Sequence, residues 1–187
     1  MSQRVFIALN LPATVKNELG GVILQLQKQL SGQPIKWVDP PILHLTLHFL
    51  GEIDDQTLAE VAKLLTVEIA KYPVLSLALG KLGCFTLPNG SPRVIWVELN
   101  EVGGESLRQL QSALKKGLED LGLETDHRSW QTHITLGRVK DETRFSLPSV
   151  KIAPLNFLVE TIDLMKSELQ PGGPIYTSLE KFNLKKE

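Results

Sequence analysis

The sequence predicts an α+β fold of two lobes, built as two mostly antiparallel sheets with flanking helices, and three observations predict it. Strand-like runs interleave with three stripes of apolar residues at helical spacing. The order strand, helix, strand occurs twice along the chain. One tetrapeptide pattern stands in each half, as His44-Leu45-Thr46-Leu47 and His133-Ile134-Thr135-Leu136. Halves duplicated in this way tend to pack about an approximate two-fold axis, which would bring the two motif strands to face each other. At 187 residues and 42 % hydrophobic, the chain is expected to be one bilobal domain over 1–187 that needs no staples.

Each element has a local reason. Residues 4–10 read as a strand, and Pro12 suits the first turn of a helix. Leu11, Val15, Leu19, Val22, Leu26 and Leu30 then form one helical stripe, interrupted by Gly20-Gly21, a pair that lowers helix propensity or marks close packing. A short strand over 36–38 precedes the Asp39-Pro40-Pro41 turn, and the first motif strand, 44–50, ends at Gly51. Asp54 caps a second helix over about 55–71, whose stripe is Leu58, Val61, Leu65 and Ile69.

Residues 74–85 and 94–99 read as strands about a turn at 86–92. A third helix over about 105–121 places Leu107, Leu110, Leu114, Leu118 and Leu121 on one face, and Gly122 stops it. The second motif strand is 132–139. Segments 155–169 and 175–184 form a closing hairpin around Pro171-Gly172-Gly173-Pro174, and Lys185-Lys186-Glu187 is a solvated end.

Twenty basic against 21 acidic residues argue against a broad non-specific grip on a nucleic acid backbone, which would need a basic excess. The single cysteine, Cys84, lies in an apolar run and reads as a small core residue; alone it forms no internal disulfide, so a reducing compartment fits. The apolar start is too short for a secretory signal, and no run approaches the ~18 residues of a membrane span. A soluble, cytoplasmic monomer with no membrane partner is the expectation.

The paired motif carries the chemistry. Side chains alternate on a strand, so the histidine and threonine of each copy share one face while the two apolar residues enter the core. With four histidines and 11 threonines in the chain, such a pattern is expected by chance only about 0.1 times, and it occurs twice. Two imidazoles and two hydroxyls brought together supply proton transfer and hydrogen-bond donors for an oxyanion such as a phosphodiester. An imidazole pKa of ~6.5 lets one histidine be neutral while its partner is charged. No P-loop, Gly-x-Ser-x-Gly, Cys-x-x-Cys or dinucleotide fingerprint is present, and no cofactor is expected.

At these residues the chain resembles the two-histidine phosphoesterase superfamily, and within it the RNA 2′,3′-cyclic phosphodiesterases, also called 2′-5′ RNA ligases. The similarity rests on 4–9, on His44-Leu-Thr-Leu-His-Phe-Leu-Gly51, on Pro92-Arg93-Val94-Ile95-Trp96 and on His133-Ile-Thr-Leu-Gly-Arg138. Gln131-Thr132 departs from it where a proline is common. The resemblance implies two lobes around a central water-filled cleft, RNA ends or nucleotides bearing a 2′,3′-cyclic phosphate as substrate, and a 2′-phosphate product. The 3′ oxygen then departs. His44 is assigned as the acid that serves it and His133 as the base that activates water, although the symmetry of the motifs does not choose sides. Alternatives are reversible 2′-5′ ligation, another small cyclic or 2′-5′-linked nucleotide, or an RNA-end-binding module without turnover.

Thr46 and Thr135 are assigned to the non-bridging phosphate oxygens. The resemblance adds Arg138, yet simple alternation puts Arg138 on the face opposite His133, so a bulge or the strand end must redirect it. By alternation His48 shares the face of His44, at the cleft rim or exposed. Phe49 is a core residue by pattern, with base stacking as its functional alternative. A His44/His48 metal pair is not expected, because the segment is strand-like and no carboxylate cluster adjoins it. Arg93, Arg128 and Lys36 are either cleft-lining or solvated; Trp37, Trp96 and Trp130 read as core, and His127 as surface.

Overall fold

Strand β1 (Ser2–Asn10) is buried on both faces from Val5 to Leu9, and this organises the molecule. Val5, Ile7 and Leu9 join the main core, while Phe6 and Ala8 point the other way into a small cluster with Met165 and Tyr176. The first face is covered by helices and the second is the concave face that carries the site. The computed structural model describes residues 2–171 and 173–186.

After β1 come α1 (Ala13–Gln29), β2 (Ile35–Trp37), a 3₁₀ turn at Pro40–Ile42, β3 (His44–Asp54) and α2 (Asp55–Ile69). Then follow β4 (Leu75–Thr86), β5 (Pro92–Glu101), α3 (Ser106–Asp120), β6 (His133–Val139), β7 (Asn156–Val159), β8 (Thr161–Gln170) and β9 (Gly173–Asn183). All the named strand pairs are antiparallel, in the order β7-β4-β5-β6-β3-β1-β8-β9, with β2 added to β6. The α+β, mostly antiparallel architecture expected from the sequence is what the chain forms, but its strands make one continuous sheet instead of two, and the motif strands β3 and β6 lie side by side in it instead of facing each other. Each lobe contributes its own set of strands, and the two sets meet edge to edge at the motif strands β3 and β6, joined by the single register pair Leu45–Ile134. The result is one curled sheet with its approximate two-fold at that pair.

The helices begin and end for the expected reasons. Asp54 accepts a hydrogen bond from the Thr57 N–H at 2.8 Å and caps α2. Gly122, at φ 77°, closes α3: its N–H bonds the Glu119 carbonyl at 2.9 Å, and the Leu123 N–H bonds that of Leu118 at 3.0 Å. Leu107, Leu110, Leu114 and Leu118 are buried, whereas Leu121 falls beyond the last turn and is exposed. Pro12 stands at the N-cap of α1, one residue ahead of the expected first turn. Of the glycine pair, Gly20 lets α1 approach Pro40, where an added Cβ would lie 3.2 Å from the proline ring.

Three boundaries differ from expectation. Strand β3 continues through Gly51 to Asp54, because Gly51 at φ 72° absorbs a bulge against β1 instead of ending the pairing. The single strand expected over 155–169 is two: β7 pairs with β4 at one edge of the sheet, and after Glu160 the chain continues in β8, which pairs with β1 in the other lobe. The tail is not wholly solvated, since the Lys185 N–H bonds the Tyr72 carbonyl at 2.8 Å and Leu184 is buried; Glu187, and Gly172 within the expected closing turn, lie outside the described residues. Cys84 is half-buried at the core's margin, and burial raises its pKa, so it is a thiol at neutral pH. Among the described residues, no helix is long and apolar enough to cross a membrane.

Candidate active site

The seven residues from each motif histidine onward share one burial pattern: half-buried, buried, half-buried, buried, buried, exposed, buried. Strict alternation fails at the same step in both. On β3, Ala8 pairs with Thr46 but Ile7 pairs with His48, so Leu47 is an extra residue. On β6, Trp96 pairs with Thr135 and Ile95 with Gly137, so Leu136 is extra. Each bulge shifts the strand's phase by one residue, which turns every later side chain to the other face.

This shift settles three side chains. Arg138 comes onto the concave face with His133 and Thr135, redirected by a bulge as the sequence pattern required. Phe49 comes with it on the opposite motif strand, 62 % exposed and 6.0 Å from the Phe6 ring; it is not a core residue. His48 goes the other way. It is 6 % exposed and its Nε2–H donates to the Gln111 carbonyl on α3 at 2.9 Å, so it neither shares the face of His44 nor reaches the cleft rim.

At the seam between the lobes, antiparallel pairing of Leu45 with Ile134 sets His44 across from Thr135 and Thr46 across from His133. The two histidines are therefore diagonal neighbours on one face, a spacing of about 7–8 Å in a regular ladder. Both rings are held alike: His44 Nδ1–H donates to the Ile42 carbonyl at 2.8 Å and His133 Nδ1–H to the Gln131 carbonyl at 2.8 Å. A carbonyl can only accept, so Nδ1 carries the proton in each ring and Nε2 is the working nitrogen. Buried His48 is bonded through the opposite nitrogen. Nε2 of His44 lies 3.1 Å from the Thr46 hydroxyl, which donates to it when the ring is neutral.

Burial holds both imidazoles below their ordinary pKa, opposed by the carbonyl bonds from Ile42 and Gln131. Positive charge lowers them further, from Lys16 and Arg138 at His44 and from Arg138 alone at His133. One guanidinium thus bears on both histidines. It bears on Tyr176 too, whose pKa burial raises and Arg138 and Arg4 pull back.

Sequence reasoning missed the aromatic walls. His44 stands edge-on to Tyr176 at 5.2 Å and 5.1 Å from Phe6; His133 stands edge-on to Phe85 at 4.9 Å and 6.3 Å from Trp96. The unbroken apolar run from Val5 to Leu9 is the one sequence signal that Phe6 would be buried on a second face. Nothing local marks Tyr176 or Phe85. Lys36 is the register neighbour of Arg138 on the site's margin. Arg93 instead bonds the Val139 carbonyl at 3.2 Å, and exposed Arg128 is paired with Asp126 at 2.5 Å. Trp37 packs over Gly137, and His127 is exposed. Among the described residues, no three His, Cys, Asp or Glu side chains converge as metal ligands.

A curled antiparallel sheet with one His-x-Thr strand from each lobe at its centre defines a phosphoesterase of the two-histidine type. The chain belongs to the 2′-5′ RNA ligase superfamily, whose family model matches residues 25–171. It is similar to the RNA 2′,3′-cyclic phosphodiesterase of Thermotoga maritima, 32 % identical over 94 % of this chain and 92 % of that protein. The protein of that name from Thermus thermophilus is 35 % identical over 98 % and 91 %. Among solved structures, Escherichia coli LigT complexed with 3′-AMP superposes with a TM-score of 0.81 at 25 % identity, covering 98 % of this chain and 99 % of that one. A crystal structure from Thermus thermophilus gives a TM-score of 0.81 at 32 % identity, with 98 % and 99 % covered.

Proposed function

We propose that this protein opens 2′,3′-cyclic phosphodiester ends of RNA or nucleotides to 2′-phosphomonoesters with its two histidines and no metal. The observation that carries the reading is the repeated Nδ1–H bond to a main-chain carbonyl, which leaves Nε2 of each ring as the nitrogen open to a substrate, that of His44 beside the Thr46 hydroxyl. The names and the nucleotide-bound structure among its relatives support the same substrate class.

In this reading the phosphate lies between the motif strands, its non-bridging oxygens on the Thr46 and Thr135 hydroxyls and the Arg138 guanidinium. His133, neutral in the free protein, takes a proton from water as its oxygen attacks phosphorus. His44 gives a proton to the departing 3′ oxygen on the opposite side. Burial, Lys16 and Arg138 all disfavour a charged His44, so its proton arrives with the substrate, whose anion offsets those cations. Phe49, exposed on the same face, is a stacking surface for a base. Ligation of a 5′-hydroxyl to a cyclic phosphate, which leaves a 2′-5′ linkage as the 3′ oxygen departs, uses the same two groups, with the hydroxyl in place of water. A monomer in the reducing cytoplasm fits the lone thiol.

Incubation with a 2′,3′-cyclic nucleotide, followed by phosphorus NMR of the product, tests the proposal. A 2′-monoester is expected. A 3′-monoester would reverse the leaving group, and an unchanged substrate would leave a binding module in place of an enzyme.

A further inference from the structure

The two histidine-orienting carbonyls are braced in different ways. Ile42 belongs to a 3₁₀ turn held by its own lobe: Pro40 packs on Gly20 of α1, and the Lys16 ammonium donates to the Pro41 carbonyl at 2.6 Å. Gln131 belongs to the irregular segment 121–132, which lines a hollow with Leu107 and Arg108 of α3 and is held to β5 by the Leu99 N–H bond to the Thr132 carbonyl at 3.2 Å. Its neighbour Trp130 reaches across the seam, and the indole Nε1–H donates to the main-chain carbonyl of Thr46 at 3.3 Å.

The acceptor is available for a structural reason. Thr46 lies directly before the extra residue of the β3 bulge, and on its other side β3 meets β6 at the Leu45–Ile134 pair alone. The ladder thus runs out where the motif begins to do chemistry, and a main-chain carbonyl left there needs a donor.

We propose that Trp130 is a positioning residue: its indole N–H ties the segment that orients His133 to the backbone of the first motif, and so fixes the separation of the two halves of the site. The inference rests on the two-histidine reading of that site. Trp130 touches no reacting atom; it acts through Gln131 on His133 and through Thr46 on the phosphate-binding hydroxyl. A purely packing role requires the ring and not its N–H.

Replacing the Trp130 side chain by 3-benzothienylalanine, in which sulfur stands where the N–H was, keeps shape and removes the donor; Trp130→Phe is the second variant. Turnover of a 2′,3′-cyclic nucleotide is read as kcat and KM, and calorimetry gives the Kd of inorganic phosphate, with melting temperature as the control. The tether predicts a fall in kcat of about tenfold at nearly unchanged KM, and weaker phosphate binding, in both variants while they remain folded. Parent-like kcat and phosphate Kd in a folded isostere, within twofold, would overturn it. If the parent itself turned over no cyclic phosphate but phosphate binding still weakened on removing the N–H, the tether would stand and the reading of the reaction would fall.

Discussion

Removing the charge of Arg138 perturbs both halves of the site at once, which makes Arg138→Gln the most informative single change. Its guanidinium is one of the causes that hold His44 and His133 below their ordinary pKa. With glutamine there, both imidazoles bind protons more readily. The base then becomes neutral only at higher pH, so the acidic limb of kcat/KM against pH moves up. The acid keeps its proton to higher pH, so the alkaline limb moves up as well. The whole bell shifts in the alkaline direction. Its height falls too, because a hydrogen bond to a charged group contributes about 1.5–3 kcal/mol, or roughly 10- to 150-fold in kcat/KM. The assay is hydrolysis of a 2′,3′-cyclic nucleotide from pH 5 to 9, with melting temperature as a control; exposed Arg138 has little packing to lose. A shift of the bell toward acid, or a loss of activity with both limbs fixed, would refute the electrostatic argument. Activity within threefold of the parent would refute the phosphate contact.

Other changes probe the remaining parts. His44→Ala and His133→Ala should each lower kcat by roughly 10²–10⁴ without unfolding the protein, and the pH limb each abolishes in the residual rate identifies it as acid or base. Full activity should survive exhaustive chelation; loss restored by zinc, manganese or magnesium would move the chemistry to a metal. Phe49→Ala should leave the melting temperature near that of the parent and weaken binding of a cyclic nucleotide by about 1–3 kcal/mol, an effect absent for inorganic phosphate. Burial lowers the pKa of His44, His48 and His133, so below about pH 6.5 the unfolded chain binds more protons than the folded one and stability falls with pH. Urea midpoints that stay flat from pH 7 to 5 would contradict this, and His48→Leu should shallow the slope.

Local pattern along the chain was enough to place most of the elements and to nominate the chemistry. Helical stripes, the Asp54 cap and the Gly122 stop depend on near neighbours alone, and the repeat of His-x-Thr named four side chains of the candidate site. The pattern also held a warning: strict alternation would bury Arg138 and expose Leu50 and Val139. Such conflicts at matching places in two strands mark a change of phase, and both bulges lie just before them.

Where the phase changes is a property of the assembled sheet, because a bulge is a relation between a strand and its neighbour and has no meaning in one strand alone. That relation put Phe49 and Arg138 on the face of the two motif histidines and His48 on the other. Partners far along the chain settled the rest. Tyr176 arrives beside His44 through β9, and Trp130 meets Thr46 from 84 residues away. The split of β7 from β8 follows from which sheet edge each can pair with, a question about the whole fold that a run of apolar residues leaves open.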